Sequence, residues 1–228
     1  MCGRATISKS KSILEKRFRA KFSPIDAEQN IVNYNVAPTQ LHPVITNENP
    51  QQIQLFKWGL IPFWAKDAKI GSRMINSRIE TITEKPSFRN AIKRRRCLVI
   101  LDGFYEWKKL GKRKQPYYIH LKNKEAFALA GIWEKWKNPE NDSLVYSFSI
   151  ITQSPNNFMA PIHDRMPAIL LQEDEHKWLD TTISVQEALS SIRPVDDDLL
   201  SAYPISNQVN RVSENSPELL KPVLPDQA

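Results

Sequence analysis

The chain begins Met-Cys-Gly-Arg, so one of its two cysteines is the second residue. A small residue behind an initiator methionine favours loss of that methionine. The chain would then start at Cys2, with a thiol and a free amine on adjacent carbons. An α-amine has a pKa of roughly 7.7–8.0, against roughly 10.4 for a lysine. An appreciable fraction is therefore unprotonated at neutral pH and able to attack a carbonyl. With an aldehyde the amine gives a Schiff base, and the thiol then closes a five-membered thiazolidine. Two bonds to one carbon make that adduct far more durable than an imine. The nearby amine also poises the thiol as a nucleophile. Two other interpretations of Cys2 stand beside this one. The Met-Cys-Gly start resembles that of N-terminal-nucleophile amidohydrolases, whose free amine is the base for its own thiol. In a random chain, Cys2 would be no more than a small residue buried near a strand start.

Four further stretches carry chemistry. MINSRIE (74–80) sets Asn76 and Arg78 two apart, on one side of an extended segment. Asn76 offers a neutral donor and acceptor, and Arg78 a fork suited to phosphate; the same residues also suit a helix start capped by Asn76. LDGFYEW (101–107) places Glu106 between aromatics after a buried run. Desolvation there would raise its pKa toward that of a general acid or base, whereas at an exposed strand end it would be an ordinary surface glutamate. APIHDRMPAI (160–169) places His163 in a turn-rich segment, with Arg165 two residues on. Histidine is the natural proton shuttle near neutrality, although an isolated one is more often structural. WGLIPFWAKD (58–67) offers Trp64 for stacking on unpaired bases, with Trp58 assigned to the core. Arg4, Arg78, Arg89 and Arg165, interleaved with aromatics such as Trp64, have the composition of a single-strand groove. KRRR at 93–96 is expected to be a solvated helix face, and His42, His120 and His176 receive no role.

These residues need elements to hold them. Ile13, Leu14, Arg17 and Phe18 recur at helical spacing within 9–22, with Ser8 as cap. YNVAPTQLHPVI (34–45) is extended chain entering a short strand, because prolines stand at 38 and 43. QIQLFKW (52–58) is a strand. INSRIETITEKPSFRNAIKRRR predicts a helix, a break at Pro86 and a second short basic helix. CLVILDGFYEW, QPYYIHLK, EAFALAGIWEKW, LVYSFSIITQS and MPAILL follow as strands. Short helices are expected around EDEHKWLD and VQEALSSI, and a solvated loop or helix start at 196–198. Strands crowd the middle and helices the ends, without regular βαβ alternation. The expected fold is α+β, one domain over 1–228, on a curved, mainly antiparallel sheet or open barrel with peripheral helices.

With 228 residues, 41% hydrophobic and 25% charged, the chain reads as globular. Sixteen prolines against six glycines argue against a Gly-rich phosphate loop. The net charge of +7 suits a polyanionic partner. Two cysteines make neither a disulfide scaffold nor a four-cysteine zinc site. No apolar stretch is long enough for a membrane span and the N-terminus lacks a signal-peptide core, so a cytoplasmic location with a free Cys2 thiol is expected.

In their order, MCGR, YNVAPTQ, WGLIPFWAKD, NSRIET, CLVILDGFYEW and HDRMP resemble the motifs of the SOS response-associated peptidase family, the abasic-site processing proteins. The likeness runs from Cys2 to at least Pro167, and YPISNQVN is similar to the family's C-terminal pattern. Ile100 and Leu101 depart from a usual Pro-Ala, and Phe63 from a usual small polar residue. The resemblance implies a protein that removes its own initiator methionine. It would then crosslink through a Cys2 thiazolidine to ring-opened abasic sites in single-stranded DNA, shielding the lesion, and lyase-like chemistry is the extension this implies. It implies that Cys2 is the nucleophile, that Asn76 bonds the opened sugar, that Glu106 transfers protons and holds the amine, and that His163 is a general acid–base. Arg4, Arg78, Arg165 and Arg89 would hold phosphates, Trp64 and Met166 would meet bases, and Pro38 and Thr152 would line the pocket. No metal or cofactor is implied. The implied partners are abasic single-stranded DNA and the replication machinery, for a monomer that joins the nucleoid when bound.

Overall fold

Five strands of the chain close on one another. The computed structural model describes residues 2–224; Met1, whose removal is expected above, lies outside the described residues. The strands are β1 (Ala5–Ile7), β2 (Lys21–Phe22), β3 (Asn33–Val36), β4 (Leu41–Thr46), β5 (Asn49–Trp58), β6 (Asn76–Arg78) and β7 (Arg96–Leu101). They continue as β8 (Gly103–Leu110), β9 (Arg113–Leu121), β10 (Phe127–Lys137), β11 (Leu144–Gln153), β12 (Met166–Pro167), β13 (Ile169–Leu170) and β14 (Leu200–Pro204). The helices are α1 (Lys11–Phe18), α2 (Ala91–Arg94), α3 (Glu175–Leu179) and α4 (Val185–Leu189).

Antiparallel pairing runs β11–β10–β7–β4–β5, and a parallel contact of β5 with β11, Trp58 opposite Phe148, closes the ring. The fold is α+β as expected, and the barrel is closed rather than open. Alternation along the strands makes two cores. Cys97, Val99 and Leu101 of β7 join Phe127, Leu129 and Trp133 of β10, with Trp58 and Phe148. Leu98 and Ile100 join Ala128, Ala130 and Ile132 beneath Leu14, Ile92, Trp178 and Ala188 of the four helices. The helices cover the outside, so the first set fills the lumen.

After β7 the chain turns at Asp102 into a second, antiparallel sheet in the order β14–β9–β8–β1–β3. Gly103 permits this turn, because a Cβ there would come within 2.3 Å of the Tyr118 ring. Asp102 is 4% exposed, and its carboxylate accepts from Thr6 Oγ1 at 2.6 Å, Ser8 Oγ at 2.8 Å and the Lys9 N–H at 3.0 Å, as well as from the Ser8 N–H. Ala5 pairs with Val36 and with Phe104. The first residues are thus an interior strand, not a loose tail.

Several expectations change. Ser8 does not cap α1; it bonds Asp102, and Ser10 occupies the cap position. Residues 74–85 are not a helix. Asn76–Arg78 pairs in parallel with Ile150–Thr152 of β11, and a 3₁₀ turn, Ile79–Thr81, follows. Backbone pairing on the barrel wall outweighs the local preference. Arg96 is not on a solvated face: it is fully buried in β7, and its guanidinium donates to the carbonyls of Trp178 at 2.7 Å, Ile92 at 3.1 Å and Asp180. MPAILL splits at Ala168 into β12 and β13, which pair with β11 and β10 respectively.

Replacing Asp102 with Ala strands donors in the wall of the second sheet. We expect a loss of roughly 2–4 kcal/mol in urea denaturation; an unchanged midpoint would contradict a holding role for this carboxylate.

Candidate active site

β6 and β8 bring two of the expected residues to the start of the chain. Asn76 Nδ2 donates to the Cys2 carbonyl at 2.8 Å. The Tyr105 N–H donates to the Arg4 carbonyl at 3.0 Å. Cys2 is held between these strands, fully buried at the edge of the lumen core. Asn76 Oδ1 is buried and has no hydrogen-bond partner among the described residues.

Glu106 follows Tyr105 on β8 and is 1% exposed. Burial pushes its carboxyl from the ordinary 4.5 up to about 7, because a carboxylate there loses its hydration. Such a group takes or gives a proton at neutral pH at little cost. His163 comes from the loop between β11 and β12, with Nε2 3.9 Å from Glu106 Oε2. Burial also lowers the His163 pKa, which favours the neutral ring. The Arg165 N–H meets Nδ1 at 3.0 Å when that nitrogen is unprotonated. Asp164 Oδ1, 2.8 Å from the same Nδ1, becomes the partner when that nitrogen is protonated. Glu106, Trp107 and His163 border a hollow of about 460 Å³ with Lys109 and Lys114 on its rim.

The Cys2 thiol is not poised as a thiolate. Burial pushes its pKa far above the ordinary range and the Glu106 charge pushes it further, while the Arg4 backbone N–H works the other way. It is a protected thiol that reacts only with something delivered to it.

The expected DNA contacts divide. Arg78 and Arg89 are exposed, Trp64 is 48% exposed, and Pro38 is half-buried in a turn. Arg165 lies against the site but forms a two-point ion pair with Glu80. Three placements are corrections. Arg4 turns inward: its guanidinium donates to Asn35 Oδ1 and the Val209 carbonyl, both at 2.6 Å, and to the Asn210 carbonyl at 3.2 Å. It braces the N-terminal segment to the C-terminal one. Met166 is 1% exposed, with Sδ accepting the Asn156 N–H at 3.3 Å. Thr152 is fully buried, 3.4 Å from the Ser77 carbonyl. Neither reaches a base or a phosphate from there; both build the wall behind Asn76 and Arg165. Asp102 and Glu80 escaped the sequence reading. The signal for Asp102 was an acid ending a six-residue buried strand; for Glu80 there was none without the fold. Among the described residues, no three His, Cys, Asp or Glu side chains gather as metal ligands, and no helix is long and apolar enough to cross a membrane.

A closed barrel with a second sheet, presenting a near-terminal cysteine to a buried glutamate, a histidine and an asparagine, defines the class of this molecule. The family model described as SOS response associated peptidase (SRAP) matches residues 1–212. The chain belongs to that family. It is 45% identical over 225 residues to the abasic site processing protein YoqW of Bacillus subtilis (strain 168), covering 97% of this chain and 99% of that one. It is 33% identical over 271 residues to the abasic site processing protein HMCES of Rattus norvegicus, covering 97% of this chain and 76% of that one. A crystal structure of a protein from Bacteroides thetaiotaomicron superimposes with a TM-score of 0.91 at 34% identity, covering 98% of this chain and all of the other.

A buried carboxyl with a raised pKa stabilises the fold fully below its unfolded value and loses that contribution as pH climbs through its folded value. For Glu106 the window runs from about pH 4.5 to about 7 and spans roughly 3 kcal/mol. Glu106→Gln should therefore gain melting temperature over the parent at pH 8 and lose the advantage by pH 5. Parallel pH profiles would contradict a raised Glu106 pKa.

Proposed function

We propose that this chain processes abasic sites in DNA by covalent capture through Cys2, as a DNA-damage response protein. The observation that carries this is the convergence of the Cys2 carbonyl on Asn76 with the Glu106–His163 pair beside it. The names of the relatives, which describe abasic site processing, agree with it.

The chemistry balances without an oxidant. Hydrolysis of the Met1–Cys2 peptide bond consumes one water and releases methionine, freeing the amine. The abasic deoxyribose opens to an aldehyde, with His163 at the rim moving the proton. The amine adds to that carbon, and the resulting hydroxyl leaves as water after a proton from Glu106, giving the Schiff base. The thiol then adds to the same carbon, its proton ending on nitrogen, and the thiazolidine closes. Ring closure is intramolecular, so a thiol too protonated to react with outside electrophiles is fast enough here. Burial thereby adds selectivity: the sulfur is spent only on an imine that the amine has already made.

Single-stranded DNA approaches on the exposed Arg78, Arg89 and Trp64, with Pro38 in a nearby turn of the pocket lining. Phosphates pair with the guanidinium and unpaired bases stack on the indole. Glu106 and His163 are also placed to remove protons beside the Schiff base, the setting for lyase-like strand cleavage; ring closure by the thiol competes with it. In this role the chain acts as one domain over residues 1–228 and as a monomer, at single-stranded DNA exposed during replication.

Incubation with a single-stranded oligonucleotide bearing one abasic site should give a heat-stable covalent band and a protein mass lacking methionine. Cys2→Ala should abolish the band and Cys2→Ser should give only a heat-labile adduct. Full crosslinking by Cys2→Ala would overturn the mechanism. Arg78→Ala should weaken binding to undamaged single strands and reduce the slope of log K against log salt by about 0.7. An unchanged slope would remove Arg78 from the phosphate path.

A further inference from the structure

Arg165 adjoins the proposed chemistry, with its backbone N–H 3.0 Å from His163 Nδ1. Its guanidinium is already in use. Nη1 donates to Glu80 Oε1 at 2.6 Å, and Nη2 to Glu80 Oε2 at 2.9 Å and to the Thr152 carbonyl at 2.7 Å. The fork that would grip a phosphate therefore holds a carboxylate in the same two-point geometry. The Arg165 side chain is 13% exposed, whereas that of Glu80 is 47% exposed. The arginine is seated on the protein and the glutamate has room to leave. Glu80 also feels Arg78: both arginines hold its carboxyl below the usual carboxylate range, the Arg165 hydrogen bonds most strongly. One acid thus faces both arginines.

We propose that Glu80 is a built-in phosphate mimic that an incoming DNA strand must displace from Arg165, lowering standing occupancy on DNA. The inference rests on the function proposed above and deepens it. The 3₁₀ turn Ile79–Thr81 carries Glu80 immediately after Arg78, so the mimic and the exposed phosphate contact share one backbone segment. Displacing a half-exposed carboxylate from a partly buried guanidinium costs little, and the cost falls on every strand alike. On undamaged DNA nothing offsets it, so standing occupancy stays low. At an abasic site, covalent capture makes a brief encounter permanent. The ion pair thus shortens time spent on intact strands while leaving the lesion to be trapped.

The test measures binding of undamaged single-stranded oligonucleotide by the parent, Glu80→Gln, Arg165→Ala and the double variant, across a salt series. Crosslinking of an abasic oligonucleotide by the parent serves as the control. Glu80→Gln should bind roughly three- to tenfold tighter, with a salt slope steeper by about 0.7, as expected for one more phosphate contact. The gain should vanish in the Arg165→Ala background. Glu80→Asp, too short to span both nitrogens, should fall between parent and Glu80→Gln and guards against a folding defect in the latter. Unchanged or weaker binding by a folded Glu80→Gln would overturn the inference, as would a gain that persists without Arg165, because that would be a general charge effect. Failure of the parent to crosslink would instead overturn the function on which it rests.

Discussion

The site depends on a chain terminus being held where water is scarce. Terminal residues of most chains fray because nothing repays the entropy of ordering them. Here Asp102 collects the donors of Thr6, Ser8 and Lys9, β1 pairs on both edges, and Asn76 fixes the Cys2 carbonyl. Arg4, which looked from its neighbours like a DNA contact, is a further tie in the same set. In the proposed capture, a mobile aminothiol would meet any aldehyde in solution, whereas one anchored beneath a second sheet would meet only a carbonyl that reaches it.

The same burial sets the protonation states. A carboxyl and a thiol both lose their charge when hydration is removed, yet the consequences differ. Glu106 moves into the range where it exchanges protons freely, whereas Cys2 moves out of the range where it attacks unaided. In the proposed capture, these states set the order: nitrogen first, sulfur second. Burial also lowers the His163 pKa, and its Nδ1 meets both the Arg165 N–H and the Asp164 carboxylate.

Position in the chain, more than local pattern, made the site legible. Cys2 announced itself as the residue after Met1, and HDRMP and NSRIET carried the family likeness. The strand-rich centre was readable because its apolar runs are barrel walls. What could not be read is where long-range pairing overrides local preference. INSRIETITEK suggested a helix, but β11 captures Asn76–Arg78 as a strand. Arg96 looked like the end of a surface run, yet three carbonyls satisfy it in the interior. Composition also could not show which arginines are already spent: Arg4 and Arg165 are, and Arg78 lies open.

Capture by both atoms of Cys2 leaves a chemical trace that no other linkage shares. Proteolysis of the adduct in the presence of a thiol-alkylating reagent, followed by mass spectrometry, reads it directly. The expected product is an N-terminal peptide beginning at Cys2, carrying the sugar remnant less one water and taking up no alkyl group on sulfur. An alkylated sulfur on that peptide, a retained methionine, or the sugar found on a lysine would contradict capture by nitrogen and sulfur together.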